Sequence, residues 1–250
     1  MKFVTVDRDN EIAMVTLSRG KVNALNEPLV EEISHCFTDI EADPTAKAVI
    51  LTGTGKFFSF GFDIPGFMDH PPESFRKYIR KFSRLYLSVF AFPKPVVAAL
   101  NGHTIAGGCM LASACDYRVM VTGKAKISLN EIGFGSSVFA GSVAILKYWV
   151  GARNAQEILY SGKMYSAEEA MKLGLVDETT SEQDLLAHSL RVARDLAARD
   201  SAAFAAIKGL LRKPVVEEIS RLEEASIEEF LTIWYSESTR KNLESIKISS

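Results

Sequence analysis

Apolar and polar positions set out the elements of this chain in order. Met1 to Val6 alternates polar and apolar as a strand does, and Ile12-Ala13-Met14-Val15-Thr16-Leu17 is a second β-rich run ending at Arg19-Gly20. From Glu27 to Asp43, Leu29, Ile33, Phe37 and Ile40 recur at helical spacing. Pro28 falls in the first turn, where its missing N–H costs nothing, and Pro44 closes the segment. The apolar run Ala48 to Thr52, before Gly53, predicts a strand buried on both faces. After a loop rich in Phe and Gly, a helix is expected over Glu73–Phe90, with Phe75, Ile79, Phe82 and Val89 inward and Pro93 and Pro95 beyond its end. Val96–Leu100 and Tyr117–Val121 predict strands, with a helix of small residues, Gly107–Ala114, between them. Strands alternating with helices in this order predict an α/β fold with parallel pairing.

Beyond Gly141 the pattern turns helical. Ser166-Ala167-Glu168-Glu169 is a capping box, Gly174 stops the helix it starts, and Val176 opens a short strand-like piece. From about Ser181 onward the periodicity is helical, with Pro214 expected to separate two segments. The final helices carry Phe230, Ile233, Trp234, Leu243 and Ile246, read as exposed apolar content of a cap or an oligomer contact.

Composition narrows the function classes. Hydrophobic residues at 47% and charged residues at 24% belong to a packed globular protein. A net charge of −2 gives no bulk attraction to nucleic acid or to an anionic membrane. An anionic ligand must then be held by local Lys, Arg or backbone N–H groups. Cys36, Cys109 and Cys115 show no metal-ligand spacing and fit free thiols in a reducing compartment. The N-terminus has no basic head followed by an apolar run, so a cytoplasmic location is expected. Pro95 to Tyr117 lacks Lys, Arg and Glu over the length of a membrane span, yet Asn101-Gly102-His103 and Gly107-Gly108 interrupt it. A buried strand, a turn and a short helix are expected there instead.

Three segments hold candidate chemistry. Lys56 to Ile64 follows a buried strand and so lies where α/β sheets bind ligands, with Gly61 freeing the backbone to present the N–H of Phe62. Asn101 to Met110 joins a strand to a helix, placing the N–H of Gly107 at the positive end of the helix dipole. Close helix–strand packing explains those glycines equally well, and the spacing is not that of a phosphate-binding Walker loop. In Ser128 to Gly135, Glu131 has the apolar neighbours Ile127, Leu129, Ile132 and Phe134; burial there would raise its pKa, as a general base near neutrality requires. His103 reads as a turn residue, and no Ser–His–Asp set is present.

Taken together, these segments resemble the enoyl-CoA hydratase/isomerase (crotonase) superfamily over nearly the whole chain. Lys21-Val22-Asn23-Ala24-Leu25 is similar to the family's first acyl-CoA contact loop. Phe58 to Ile64 and Asn101 to Cys109 are similar to its two oxyanion-hole segments, and Cys115-Asp116-Tyr117-Arg118 and Ser166 to Val176 to its later signatures. The resemblance implies ββα turns wound into a spiral, with residues 1–195 as the acyl-CoA-binding catalytic core. Residues 196–250 would be a helical oligomerisation region building trimers or paired trimers. It implies a thioester oxygen held by the N–H groups of Phe62 and Gly107, and a role in fatty acid metabolism and β-oxidation. Substrate contacts are expected at Lys21, Asn23, Ala24, Ser59, Phe60, Gly61, Asp63 and Ile64, which hold the adenosine end mostly through backbone groups, and at Met110 against the acyl chain and Asn130 beside the base.

Hydratases of the family carry two glutamates. Here Met110 stands at the first position and Glu131 at the second. One carboxylate suits transfer of a proton from C2 to C4 of a 3-enoyl thioester, and the steps around Asn130 and Cys109 resemble the single-glutamate Δ3,Δ2-enoyl-CoA isomerases. No metal or redox cofactor is expected, coenzyme A being part of the substrate. The alternatives are hydratase, hydrolase or decarboxylase chemistry, or a non-catalytic acyl-CoA-binding subunit.

Overall fold

The structure, a computed structural model, describes residues 1–246. It opens with β1 (Val4–Asp9) and β2 (Ile12–Leu17), an antiparallel hairpin, followed by α1 (Glu27–Ala42). Asn26 caps α1, its side chain accepting from the N–H of Leu29 at 3.1 Å.

Three turns of a spiral follow, each made of a strand, a shorter strand and a helix. The first is β3 (Ala48–Gly53), β4 (Phe57–Ser59), then α2 (Ile64–Phe67) and α3 (Pro72–Ala91). The second is β5 (Val96–Leu100), β6 (His103–Ile105) and α4 (Gly107–Ala114). The third is β7 (Tyr117–Val121), β8 (Ile127–Ser128) and α5 (Ala140–Ser161), which bends at Gly151. The long strands, with the short β9 (Glu178–Thr180) at one edge, form a six-stranded sheet in the order β1-β2-β3-β5-β7-β9, parallel from β2 onward, and the other short ones form a parallel sheet β4-β6-β8. Every side chain of β5 is buried, as its unbroken apolar run requires. The apolar stretch from Pro95 is thus β5, a turn, β6 and α4. Among the described residues no helix is long and apolar enough to cross a membrane.

The capping box at Ser166 opens α6 (Ala167–Leu173), and Gly174 ends it in the left-handed conformation at φ 78°. The strand expected at Val176 begins later, as β9 (Glu178–Thr180). Next comes α7 (Leu185–Ala197), which packs across β2, β3, β5 and β7. The boundary expected at 195/196 falls inside this helix, and residues 198–200 separate it from the next one.

Two corrections concern the C-terminal helices, α8 (Ser201–Trp234) and α9 (Glu237–Leu243). Pro214 does not divide α8, which runs through it. Both flanks are fastened to the core. On one side Lys208 and Arg212 bind the carboxylate of Asp116 at 2.6 and 2.7 Å, all three buried or nearly so. On the other, the buried Glu223 accepts from Ser83 and from the N–H of Gly141, both at 2.6 Å. Second, Phe230, Trp234 and Leu243 are not exposed but at most 2% accessible within this chain. Trp234 packs on Phe75 with ring centroids 4.8 Å apart, and Phe230 on Phe139 at 4.6 Å. The exposed apolar residues of α8 lie earlier, at Ile207, Leu210 and Leu211, which are 59%, 74% and 59% accessible.

Candidate active site

The loop before α1, which holds Lys21 to Leu25, runs beside the loop after β4, the first of the three candidate segments. The N–H of Leu25 donates to the carbonyl of Gly61 at 2.7 Å, and that of Asp63 to the carbonyl of Leu25 at 3.1 Å. The N–H of Phe60 donates to the carbonyl of Val22 at 2.9 Å. These bonds alternate, so the N–H of Phe62 lies between two partnered groups and has no partner among the described residues. Gly61 holds φ at 95°, and a Cβ there would lie 2.9 Å from the Ile105 carbonyl and 3.0 Å from the Gly107 nitrogen. Only glycine allows the two loops this close approach.

Gly107 is the first residue of α4, and its N–H likewise has no partner among the described residues. The backbone reaches it through Ala106, held at φ 49° and ψ −121°. A Cβ on Gly108 would meet the Ser59 carbonyl at 2.5 Å, so both explanations of this glycine step hold at once: tight packing and a free donor.

Phe62 and Gly107 line a cavity of about 330 Å³ together with Glu131, Met110 and Asn130. Glu131 opens a short 3₁₀ turn, Glu131–Phe134, after β8. It is 5% accessible, and neither carboxylate oxygen has a hydrogen-bond partner among the described residues. Burial pushes its pKa up to about 8. Asn130 Oδ1, beside it, is buried and unpartnered in the same way. The remaining wall is largely apolar and aromatic, with Ile64, Ile105, Phe134, Phe139, Phe230 and Trp234, and adds the polar side chains of Ser136 and Ser137. Two free backbone donors, one desolvated carboxylate and an apolar enclosure suit a carbonyl whose α-carbon loses a proton.

Of the expected contacts, Phe60, Phe62, Ile64, Gly107, Met110, Asn130 and Glu131 line the cavity, whereas Lys21, Asn23, Ala24, Ser59, Gly61 and Asp63 do not. Three of the latter have their side chains engaged in building the loops. Asn23, fully buried at φ 48°, accepts from the N–H of Arg19 and donates to the carbonyls of Thr54 and Phe57. Ser59 donates to the carbonyl of Asn23 and accepts from the N–H of Gly61. Asp63 caps α2 and pairs with Arg19 at 2.5 Å. Any substrate contact from these three positions therefore falls to backbone atoms. Lys21 is exposed, and Ala24 is buried with its carbonyl bonded to Arg19. Sequence reasoning missed the aromatic wall. Phe134 and Phe139 follow Glu131 closely and were accessible signals; Phe230 and Trp234 come from a helix about 100 residues away.

Comparison with known proteins agrees with this geometry. The family model for enoyl-CoA hydratase/isomerase matches residues 7–247. The chain is 34% identical over 199 residues to a putative enoyl-CoA hydratase of Thermus thermophilus, covering 78% of each. It is 28% identical over 242 residues to the mitochondrial enoyl-CoA delta isomerase 1 of Mus musculus, covering 93% of this chain and 81% of that one. Its fold superposes on the crystal structure of human mitochondrial delta3-delta2-enoyl-CoA isomerase with a TM-score of 0.93 at 26% identity, covering 96% and 95% of the two chains. With the spiral fold, the paired loop donors and the buried glutamate in place, the chain belongs to the enoyl-CoA hydratase/isomerase family, the crotonase superfamily.

Proposed function

We propose that this chain isomerises 3-enoyl-CoA to 2-enoyl-CoA, with Glu131 as its one acid–base group. The observation that carries this reading is the cavity lining: among the described residues Glu131 is the single carboxylate there, and Met110 stands where the family resemblance puts the first of the two glutamates of hydratases.

The substrate carbonyl accepts from the N–H groups of Phe62 and Gly107, bonds that strengthen as negative charge moves onto the oxygen. Each such donor lowers the barrier by roughly 3–4 kcal/mol. The Glu131 carboxylate removes a proton from C2, and the electron pair delocalises through C3=C4 and the carbonyl as a dienolate. The same carboxyl returns the proton to C4, leaving the double bond between C2 and C3. No metal or redox cofactor enters this scheme, and coenzyme A belongs to the substrate. Hydration, named for several relatives, requires activating a water and protonating the neighbouring carbon, a task for which Met110 offers no group.

The chain is proposed to work as a trimer or a pair of trimers in a cytoplasmic setting. The exposed face of α8 at Ile207, Leu210 and Leu211 and the buried free thiols of Cys36, Cys109 and Cys115 support these two readings respectively. Incubating the protein separately with 3-enoyl-CoA and 2-enoyl-CoA, and identifying the products, tests the reaction. The expected outcome is interconversion of the two with little 3-hydroxyacyl-CoA; rapid hydration of 2-enoyl-CoA with 3-enoyl-CoA untouched would overturn it.

A further inference from the structure

Among the described residues nothing hydrogen-bonds the carboxylate of Glu131, so its place in the cavity depends on the backbone of a four-residue 3₁₀ turn. That turn is held weakly by its own sequence, since Gly133 lies within it and Gly135, at φ 80°, ends it. Two side chains of α9 complete it from outside. Thr239, 1% accessible, donates its hydroxyl to the carbonyl of Gly135 at 2.7 Å, and Asn242 Nδ2 donates to the carbonyl of Phe134 at 3.2 Å. The same short helix and the residue before its cap reach the other half of the site. Arg240 donates to the carbonyl of Met68, and the hydroxyl of Tyr235 to that of His70 at 2.9 Å. Met68 and His70 follow α2, which begins two residues after Phe62.

We propose that Thr239 and Asn242 are positioning residues, which make α9 a strap that fixes the carboxylate of Glu131 relative to the oxyanion donor on Phe62. This deepens the assignment of Glu131 as acid–base group and rests on it. The strap acts through distance. A misplacement of the base by about 1 Å costs on the order of 100-fold in rate, while substrate held by the loops and the aromatic wall stays bound. It also acts on solvation, because a loosened turn admits water to a carboxyl whose raised pKa comes from burial. The titratable group facing Glu131 from α4 is Cys109, whose thiol is itself pushed up to about 12 by burial and by the Glu131 charge.

Thr239→Val keeps the shape and removes the donor; Thr239→Ser keeps the donor; Asn242→Ala changes an exposed side chain and leaves the core intact. Two readings are taken on each: kcat and KM for the enoyl-CoA that the parent protein turns over, and the carboxyl titration of Glu131 in the free protein by carbon NMR. Thr239→Val is expected to lower kcat about 10- to 100-fold with KM nearly unchanged and to bring the Glu131 midpoint down toward ordinary carboxylate values. Asn242→Ala should do the same more weakly, and Thr239→Ser should restore both readings. If Thr239→Val and Asn242→Ala leave kcat and the midpoint at parent values, or change only thermal stability, the strap does not position the base. The titration needs no turnover. A parent protein inactive on 3-enoyl-CoA would therefore sink the proposed isomerisation while the midpoints still decide for or against the strap.

Discussion

Among single residues, the desolvated carboxylate of Glu131 governs the expected pH behaviour. A base must be ionised to accept a proton, so kcat/KM is expected to rise with pH and level off above about 8, where Glu131 is deprotonated in the free protein. Glu131→Gln should lower turnover by about 10²–10⁴-fold and erase that limb. Its effect on stability has the opposite sign. A carboxyl raised from 4.5 to about 8 binds its proton more tightly when folded. Stability from this group is therefore full below pH 4.5, falls as pH rises toward 8, and stays lost above it, a loss on the order of a few kcal/mol. Thermal unfolding should show Glu131→Gln more stable than the parent at pH 9 and close to it at pH 4. That Glu131, Phe62 and Gly107 come together at one cavity was legible only with the three segments taken together as a family resemblance, since apolar neighbours around an acid and glycines in a loop are each explained as well by packing. The bonding of Asn23, Ser59 and Asp63 was not legible, because each is fixed by a partner from another loop or by a cap that only the folded chain supplies.

At the scale of elements, the strands of the six-stranded sheet and helices α1, α3, α4 and α6 followed from the sequence pattern, while the second sheet, β4-β6-β8, lay in segments read as loop or turn or not read as strands, and α8 was misread. Two cues in its sequence misled. Pro214 predicts a break, but the helix is held on both sides of it by the Asp116 ion cluster and by Glu223. The stripe Phe230, Ile233, Trp234 predicts an outer face, whereas Phe230 and Trp234 close the cavity of their own chain. Periodicity shows that a helix has an apolar face but not what that face covers. Truncation after Pro214 is accordingly expected to abolish activity and expose Phe75 and Phe139, read as increased binding of a hydrophobic dye together with lost turnover. A shortened chain that folds, stays dye-silent and keeps its activity would show that α8 does not complete the site.

For the whole molecule, the spiral and its parallel sheet were visible as a run of strands and helices joined by a family resemblance. The assembly reading moves from the tail to the first half of α8. Leu210→Glu and Leu211→Glu together should lower the sedimentation coefficient from that of a trimer or hexamer toward that of a monomer, since these side chains stand in solvent on an isolated chain. An unchanged coefficient would place any interface elsewhere. The claim that binds the scales together is that one shielded carboxyl carries a proton from C2 to C4. The most direct measurement is a single turnover of 3-enoyl-CoA dideuterated at C2, in ordinary water, with the label located in the product. Deuterium appearing at C4 of the 2-enoyl product is the expected result. A product labelled at C2 alone, with C4 protonated wholly from solvent, would contradict it, as would hydration in place of isomerisation.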